Sequence, residues 1–153
     1  NFRALVVRPH NFYGPRTGYD HVIPEFCQRI IKRVDPFPIY GATDTRTFCY
    51  MSDAVRAMQM LMDSNKTDGQ PIETVHIGAT EEIKMGELAE KLFKIAKWHP
   101  KKIDIHESPV GSVKRRLADI SKLESLTGFK NEVGLDEGLK ITFEWYLEHP
   151  RTG

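Results

Sequence analysis

Apolar positions along the chain follow two periods, and together they lay out short strands alternating with medium helices. Ala4-Leu5-Val6-Val7 is an unbroken, β-branched run that predicts a buried strand at the start. Val22, Ile23, Phe26, Ile30, Ile31 and Val34 recur at helical spacing and predict a helix over Val22 to Val34, with Pro24 tolerated in its first turn. Pro36 and Pro38 impose an extended path into Ile39 and Tyr40, and Gly41 to Asp44 has turn chemistry. Thr47 to Met51 reads as a short strand. Ser52 is expected to cap the next helix, with Asp53 favourable in its first turn and Val55, Met58, Leu61 and Met62 on one face.

Asn65 to Pro71 is polar and reads as a surface loop. Glu73 to Gly78 alternates as a strand, Met85 to Trp98 is an amphipathic helix, and Lys102 to His106 alternates again as a half-exposed strand. After an irregular loop from Ser108 to Ser112, Asp119 to Thr127 predicts a short helix closed by Gly128. Leu135 to Leu147 is the last helix, stopped by Pro150. The pattern is one α/β unit with too few buried strands for a complete doubly wound sheet.

Composition narrows the partners. The 22 basic and 21 acidic side chains leave a net charge of +1, so no electrostatic argument favours nucleic acid or an anionic membrane surface. No apolar run approaches the ~20 residues of a membrane span. Cys27 and Cys49 lack metal-ligand spacing and sit in apolar surroundings, which predicts buried thiols and a reducing, cytoplasmic setting.

The chemistry visible in the residues is binding rather than catalysis. No Gly-x-x-Gly-x-x-Gly follows a strand, and no tyrosine is followed four places on by a lysine. No catalytic residue and no metal site is assigned, and His76 and His99 have no partner nearby in sequence. Asn11 follows the first strand, where its amide can donate to an oxyanion or accept from a hydroxyl. His21 precedes a helix start, a position suited to phosphate. Arg46 lies between a turn and an apolar strand, where a planar guanidinium can grip a diphosphate. Arg115 and Arg116 add cations beyond the irregular loop, and read alone they equally suit a solvated charge run.

Five blocks taken in order carry a resemblance over nearly the whole chain. They are Arg8 to Pro15, Val22-Ile23-Pro24, Pro38 to Gly41 continued by Arg46 to Asp53, Val75 to Gly78, and Arg116 to Lys122. In this pattern the chain resembles the C-terminal part of the extended short-chain dehydrogenase/reductase family, in its NAD-dependent epimerase/dehydratase group acting on nucleotide-diphosphate sugars. The resemblance implies a substrate-binding α/β subdomain over residues 16–153. It also implies a remnant of a Rossmann-type domain over residues 1–15, whose front part, with the dinucleotide cradle and the catalytic Tyr and Lys, is absent.

Carried over by position, Pro9 and His10 lie beside the nicotinamide of NAD. Asn11 contacts sugar or diphosphate, and His21 the diphosphate. Val22, Pro38 and Tyr40 line the base pocket, and Arg46 grips the diphosphate. One departure is Pro109, two residues ahead of Gly111, where many relatives place an arginine; Arg115 or Arg116 is expected to stand in, with Arg116 favoured. The implied parent reaction passes through a transient keto sugar, and the implied parent is a homodimer. The chain by itself is expected to be inactive and, with its first strand open at the edges, to self-associate. The competing readings are a stand-alone module for a nucleotide or phosphorylated ligand, and a structural remnant without a working site.

Overall fold

The computed structural model describes residues 4–64 and 73–151, and the loop expected over Asn65 to Pro71 lies outside them. In chain order the elements are β1 (Leu5–Pro9), β2 (Phe12–Tyr13), α1 (Val22–Ile31), β3 (Phe37–Tyr40), β4 (Thr45–Thr47), β5 (Cys49–Tyr50) and α2 (Met51–Asp63). There follow β6 (Glu73–Ile77), β7 (Glu82–Lys84), α3 (Met85–Ala96), β8 (Ile103–His106), β9 (Arg115–Arg116), α4 (Ser121–Thr127) and α5 (Leu135–Glu148). The α/β class and all five predicted helices are present.

Strand pairing is mostly parallel. β1 runs beside β6, β2 beside β5 and β3 beside β8, and β4 lies between an antiparallel β7 and a parallel β9. Parallel neighbours need crossovers, and here the helices supply them. α2 leads from β5 towards β6, and α3 leads from β7 towards β8.

Two expectations need correction. The strand foreseen over Thr47 to Met51 is two strands in two different sheets, divided at Phe48, whose ring turns into the core. Ser52 is not a cap either: α2 starts at Met51 with Tyr50 at its N-cap, and no side chain caps it. β5 runs straight into the helix, which places Ser52 inside the first turn. The carboxylate of Asp53, buried, reaches away from its own helix end to accept the N–H groups of Glu132 at 3.0 Å and Val133 at 3.1 Å.

The buried apolar residues form two clusters. The first gathers α1, α3 and α5 over β3, with α5 packed against both other helices. Phe37 meets Phe26 and Phe93 edge to face, with ring centroids 5.5 and 4.9 Å away. Gly138 in α5 is required by this packing, because a Cβ there would lie 2.1 Å from the Tyr13 hydroxyl. The second cluster lies between the β1–β6 pair and the helices α2 and α4, and includes Ala54, Ala57, Val75, Ile77 and Leu123. Leu5 and Val7 pack against it, whereas Val6, on the other face of β1, is 45% exposed. Cys27 and Cys49 are free and buried, as expected, and burial pushes both thiols up to about 12.

Candidate functional site

The cleft forms where the turn after β1, the start of α1 and the β3–β4 turn converge. Two adjoining cavities of about 220 and 210 Å³ occur there. Asn11, Val22 and Phe48 line both and so form their shared wall.

Asn11 is fixed at that wall by local backbone. It adopts a left-handed conformation at φ 46°, which Asn tolerates better than most residues. Its side-chain N–H₂ donates to the Thr47 carbonyl at 2.9 Å, and its own carbonyl accepts the Cys49 N–H at 3.2 Å. The chain is thereby clamped to β4 and β5, with the amide oxygen left as an acceptor.

Arg46 lines the larger cavity from β4. Its guanidinium donates to the carbonyls of Thr45 at 2.7 Å and Lys114 at 3.3 Å and to the Ser112 hydroxyl at 3.4 Å. Asp44 stands 3.7 Å away and balances part of its charge. These contacts hold the fork in place while five N–H donors exceed the acceptors supplied.

Tyr40 lines the same cavity and is 49% exposed, unusual for a tyrosine next to a core strand. One face of its ring stacks on His106, with centroids 4.8 Å apart and planes at 21°, and His106 in turn meets Asp104 at 3.1 Å. Register produces this, since Tyr40 and His106 are opposite one another at the ends of β3 and β8. Gly41 follows at φ +59°, where a Cβ would lie 2.5 Å from the Ser108 hydroxyl and 2.6 Å from the Asp44 carboxylate. That turn is closed by Ser108 donating to Asp44 at 2.8 Å.

His21, at the N-cap of α1, lines the smaller cavity together with Val22. Pro38 lines neither; its carbonyl accepts from Arg29 at 3.0 Å and ties β3 to α1. Arg115 also lies outside both cavities. It makes a two-pronged pair with Glu82, at 2.9 and 3.0 Å, and its hydrogen bonds, joined by one from Thr45, hold the Glu82 carboxyl down to about 2. Arg116 is the register neighbour of Arg46 across β4 and β9 and is exposed. Pro109 lines the larger cavity.

At the carboxyl end of β1, Pro9 is exposed and His10 has a partner that no local spacing announces. Its Nε2 lies 2.6 Å from Nδ1 of His76 on β6, and the rings stack with centroids 4.8 Å apart. Burial, then His76, then the Arg116 charge hold the His10 pKa below its ordinary value. Sequence reasoning also passed over Glu25 and Arg29, which line the larger cavity from α1. Only their helical spacing from Val22 and Phe26 hinted at the same face.

A parallel strand pair ending in a polar ledge, beside an α/β layer that carries an arginine-lined cleft, matches the ligand crevice of Rossmann-type α/β folds. The family model for GDP-mannose 4,6 dehydratase matches residues 1–142. The chain belongs to that family, among the extended short-chain dehydrogenases/reductases, and corresponds to their C-terminal part. It is 32% identical to a UDP-N-acetyl-alpha-D-glucosaminuronate decarboxylase of Bacillus cytotoxicus, over 95% of this chain and 46% of that protein. It is 29% identical to a probable GDP-L-fucose synthase 1 of Oryza sativa subsp. japonica, over 97% of this chain and 46% of that protein. Among solved structures, the UDP-glucuronic acid 4-epimerase from Bacillus cereus in complex with UDP-glucuronic acid and NAD superposes with a TM-score of 0.84 and 26% identity, over 95% of this chain and 45% of that one. The chain thus spans about half the length of the relatives it matches.

Proposed function

We propose that this chain is the substrate-binding part of an NAD-dependent nucleotide-sugar epimerase or dehydratase. The observation that carries the reading is the pair of adjoining cavities that meet at Asn11, with Arg46 in one and His21 in the other. An elongated, doubly charged ligand needs two chambers and cations near their junction. Arg46 grips the diphosphate, Asn11 and His21 reach diphosphate and sugar, and Val22 and Tyr40 receive the nucleobase. Pro38 shapes that pocket through the strand. Arg116, beside Arg46, is the better stand-in for the arginine replaced by Pro109, because Arg115 is already paired with Glu82.

The residues present fit one end of NAD only. Exposed Pro9 and the His10 ring form a ledge at the strand ends, while the sequence offers no glycine-rich turn to seat the dinucleotide phosphates. The chemistry such a cofactor supplies when bound is hydride acceptance, which gives the parent reaction a transient keto sugar. This chain's own residues bind and orient the nucleotide sugar so that its reacting carbon faces that ledge. β1 and β6 share a core of their own with α2 and α4. The two unpaired cysteines suit a reducing, cytoplasmic setting.

Calorimetric titration with nucleoside diphosphates tests the binding role. Binding is expected, and Arg46→Ala should weaken it by about tenfold or more, the effect of one charge-assisted contact. Unchanged affinity in that variant removes Arg46 from the site. Incubated with NAD and nucleotide sugars, the chain alone should give no keto sugar, and its appearance would overturn the assignment of catalysis to other residues.

A further inference from the structure

We propose that the stacked imidazoles of His10 and His76 form a proton switch, which takes up one proton when an anionic ligand seats on Arg46 and Arg116. The inference rests on the nucleotide-sugar reading of the same cleft and adds a pH dependence to it.

The fold builds the pair. His10 follows β1 and His76 lies in β6, and the His10 backbone N–H donates to the Ile77 carbonyl at 2.9 Å. Nε2 of His10 and Nδ1 of His76 are 2.6 Å apart, so one ring donates to the other. An added proton on the outer nitrogen of the donating ring leaves that contact intact and makes it charge-assisted. A second added proton would set two N–H groups against each other and break it. The pair therefore holds one charge and no more.

Gly78 lets a cation approach. A Cβ there would lie 2.6 Å from the Ala118 Cβ and 3.2 Å from the His10 Cβ, so only bare backbone allows the segment after β9 to lie against the pair. Arg116, two residues before Ala118, is also the register neighbour of Arg46. It links the cleft to the pair. Burial, His76 and the Arg116 charge all oppose a proton on His10. Asp119, on the link into α4, interacts with His76 and favours one. Arg8, the register partner of His76, is exposed and adds an opposing charge that solvent screens. A diphosphate on Arg46 and Arg116 cancels the Arg116 charge, and the pair then accepts its proton. The bound state holds a proton that the free state lacks. Affinity therefore rises as pH falls between the midpoints of the bound and the free pair, and levels off below the free midpoint.

The test is calorimetric titration of the protein with UDP-glucose and GDP-mannose at about pH 8 and about pH 6, an interval in which histidine titrates and neither ligand changes charge. Buffers of different ionisation enthalpy count the protons. Binding should take up as much as about one proton and tighten about five- to tenfold toward the lower pH. His10→Asn, checked for fold by circular dichroism, should bind without proton uptake and without pH dependence. Arg116→Gln should weaken binding and remove most of the uptake. His21→Asn controls for direct titration in the cleft: it should weaken binding yet keep the uptake. If the uptake vanishes in His21→Asn, persists in His10→Asn or never appears, the switch falls and the nucleotide-sugar reading stands. If neither ligand binds, both fall.

Discussion

The core under α1, α3 and α5 is aromatic, with Phe26, Phe37, Phe48, Phe93, Phe143 and Tyr146 buried together. The core between β1–β6 and the helices α2 and α4 is built from small and aliphatic residues, Ala54, Ala57, Leu61, Val75, Ile77 and Leu123 among them. The first is closed over by helices. The second has helices on one face of its strand pair and leaves Val6 on the other face 45% exposed. Parallel strands are normally covered on both faces. The cleft straddles the difference: Tyr40, Glu25 and Arg29 hang from the enclosed core, while His10 stands on the half-covered one. Among the described residues, the proposed binding end of the site thus rests on the enclosed core, and the ledge proposed for the cofactor rests on the half-covered one.

Unfolding can break that comparison most directly. Both tryptophans, Trp98 and Trp145, pack against the first core, so their fluorescence reports that core alone, whereas far-ultraviolet circular dichroism reports both. Phe37→Ala should lower stability by about 3–5 kcal/mol and move the fluorescence transition strongly. Leu123→Ala, at about 2–5 kcal/mol, should move the early part of the dichroism curve and leave fluorescence nearly in place. Coincident curves in urea for the native chain and both variants would show one cooperative unit and erase the distinction.

The seam between the cores gives the next effect in size. Asp53 belongs to α2, yet it holds the N–H groups of Glu132 and Val133 on the path into α5, and Arg56 pairs with it at 2.8 Å. Asp53→Ala strands two backbone donors and a cation, at about 3 kcal/mol. It should also widen the gap between the fluorescence and dichroism midpoints, because it cuts the polar link between the two clusters. Equal shifts of both midpoints would mean that apolar contact alone couples them.

Much of this architecture is legible in the sequence where periodicity is long. Val22, Ile23, Phe26 and Ile30 announce α1, and Leu88, Leu92 and Phe93 announce α3, because a helix repeats its signal over several turns. The failures are short or remote. Thr47 to Tyr50 alternates like one strand, and two-residue alternation cannot reveal that Phe48 enters one core and Cys49 the other. β7 and β9 are three and two residues long and largely charged, so no apolar pattern marks them. In the cleft, Asn11 and Arg46 stand out by residue type next to strands. Tyr40 with His106 and His10 with His76 depend on pairing between strands 66 residues apart, which local spacing does not carry. Glu25 and Arg29 look like an ordinary solvated helix face until β3 is brought against them.

The smallest effect on stability tests the open face itself. Among the described residues β1 pairs only with β6 in its sheet, so its far edge there presents unpaired backbone groups next to exposed Val6. Such an edge invites pairing with a second copy, and a lysine there opposes it by charge and by the cost of burying an ammonium group. Val6→Lys should change the unfolding free energy by no more than about 0.5 kcal/mol, as expected for a surface position. Its effect should appear instead in sedimentation, where the native chain associates as concentration rises and the variant stays monomeric. The small stability change is what makes the result informative, because a fold left intact cannot account for the lost association. A native chain that remains monomeric at high concentration would show that β1 protects its own edge, and the contrast between an enclosed and a half-covered core would then lose its consequence for assembly.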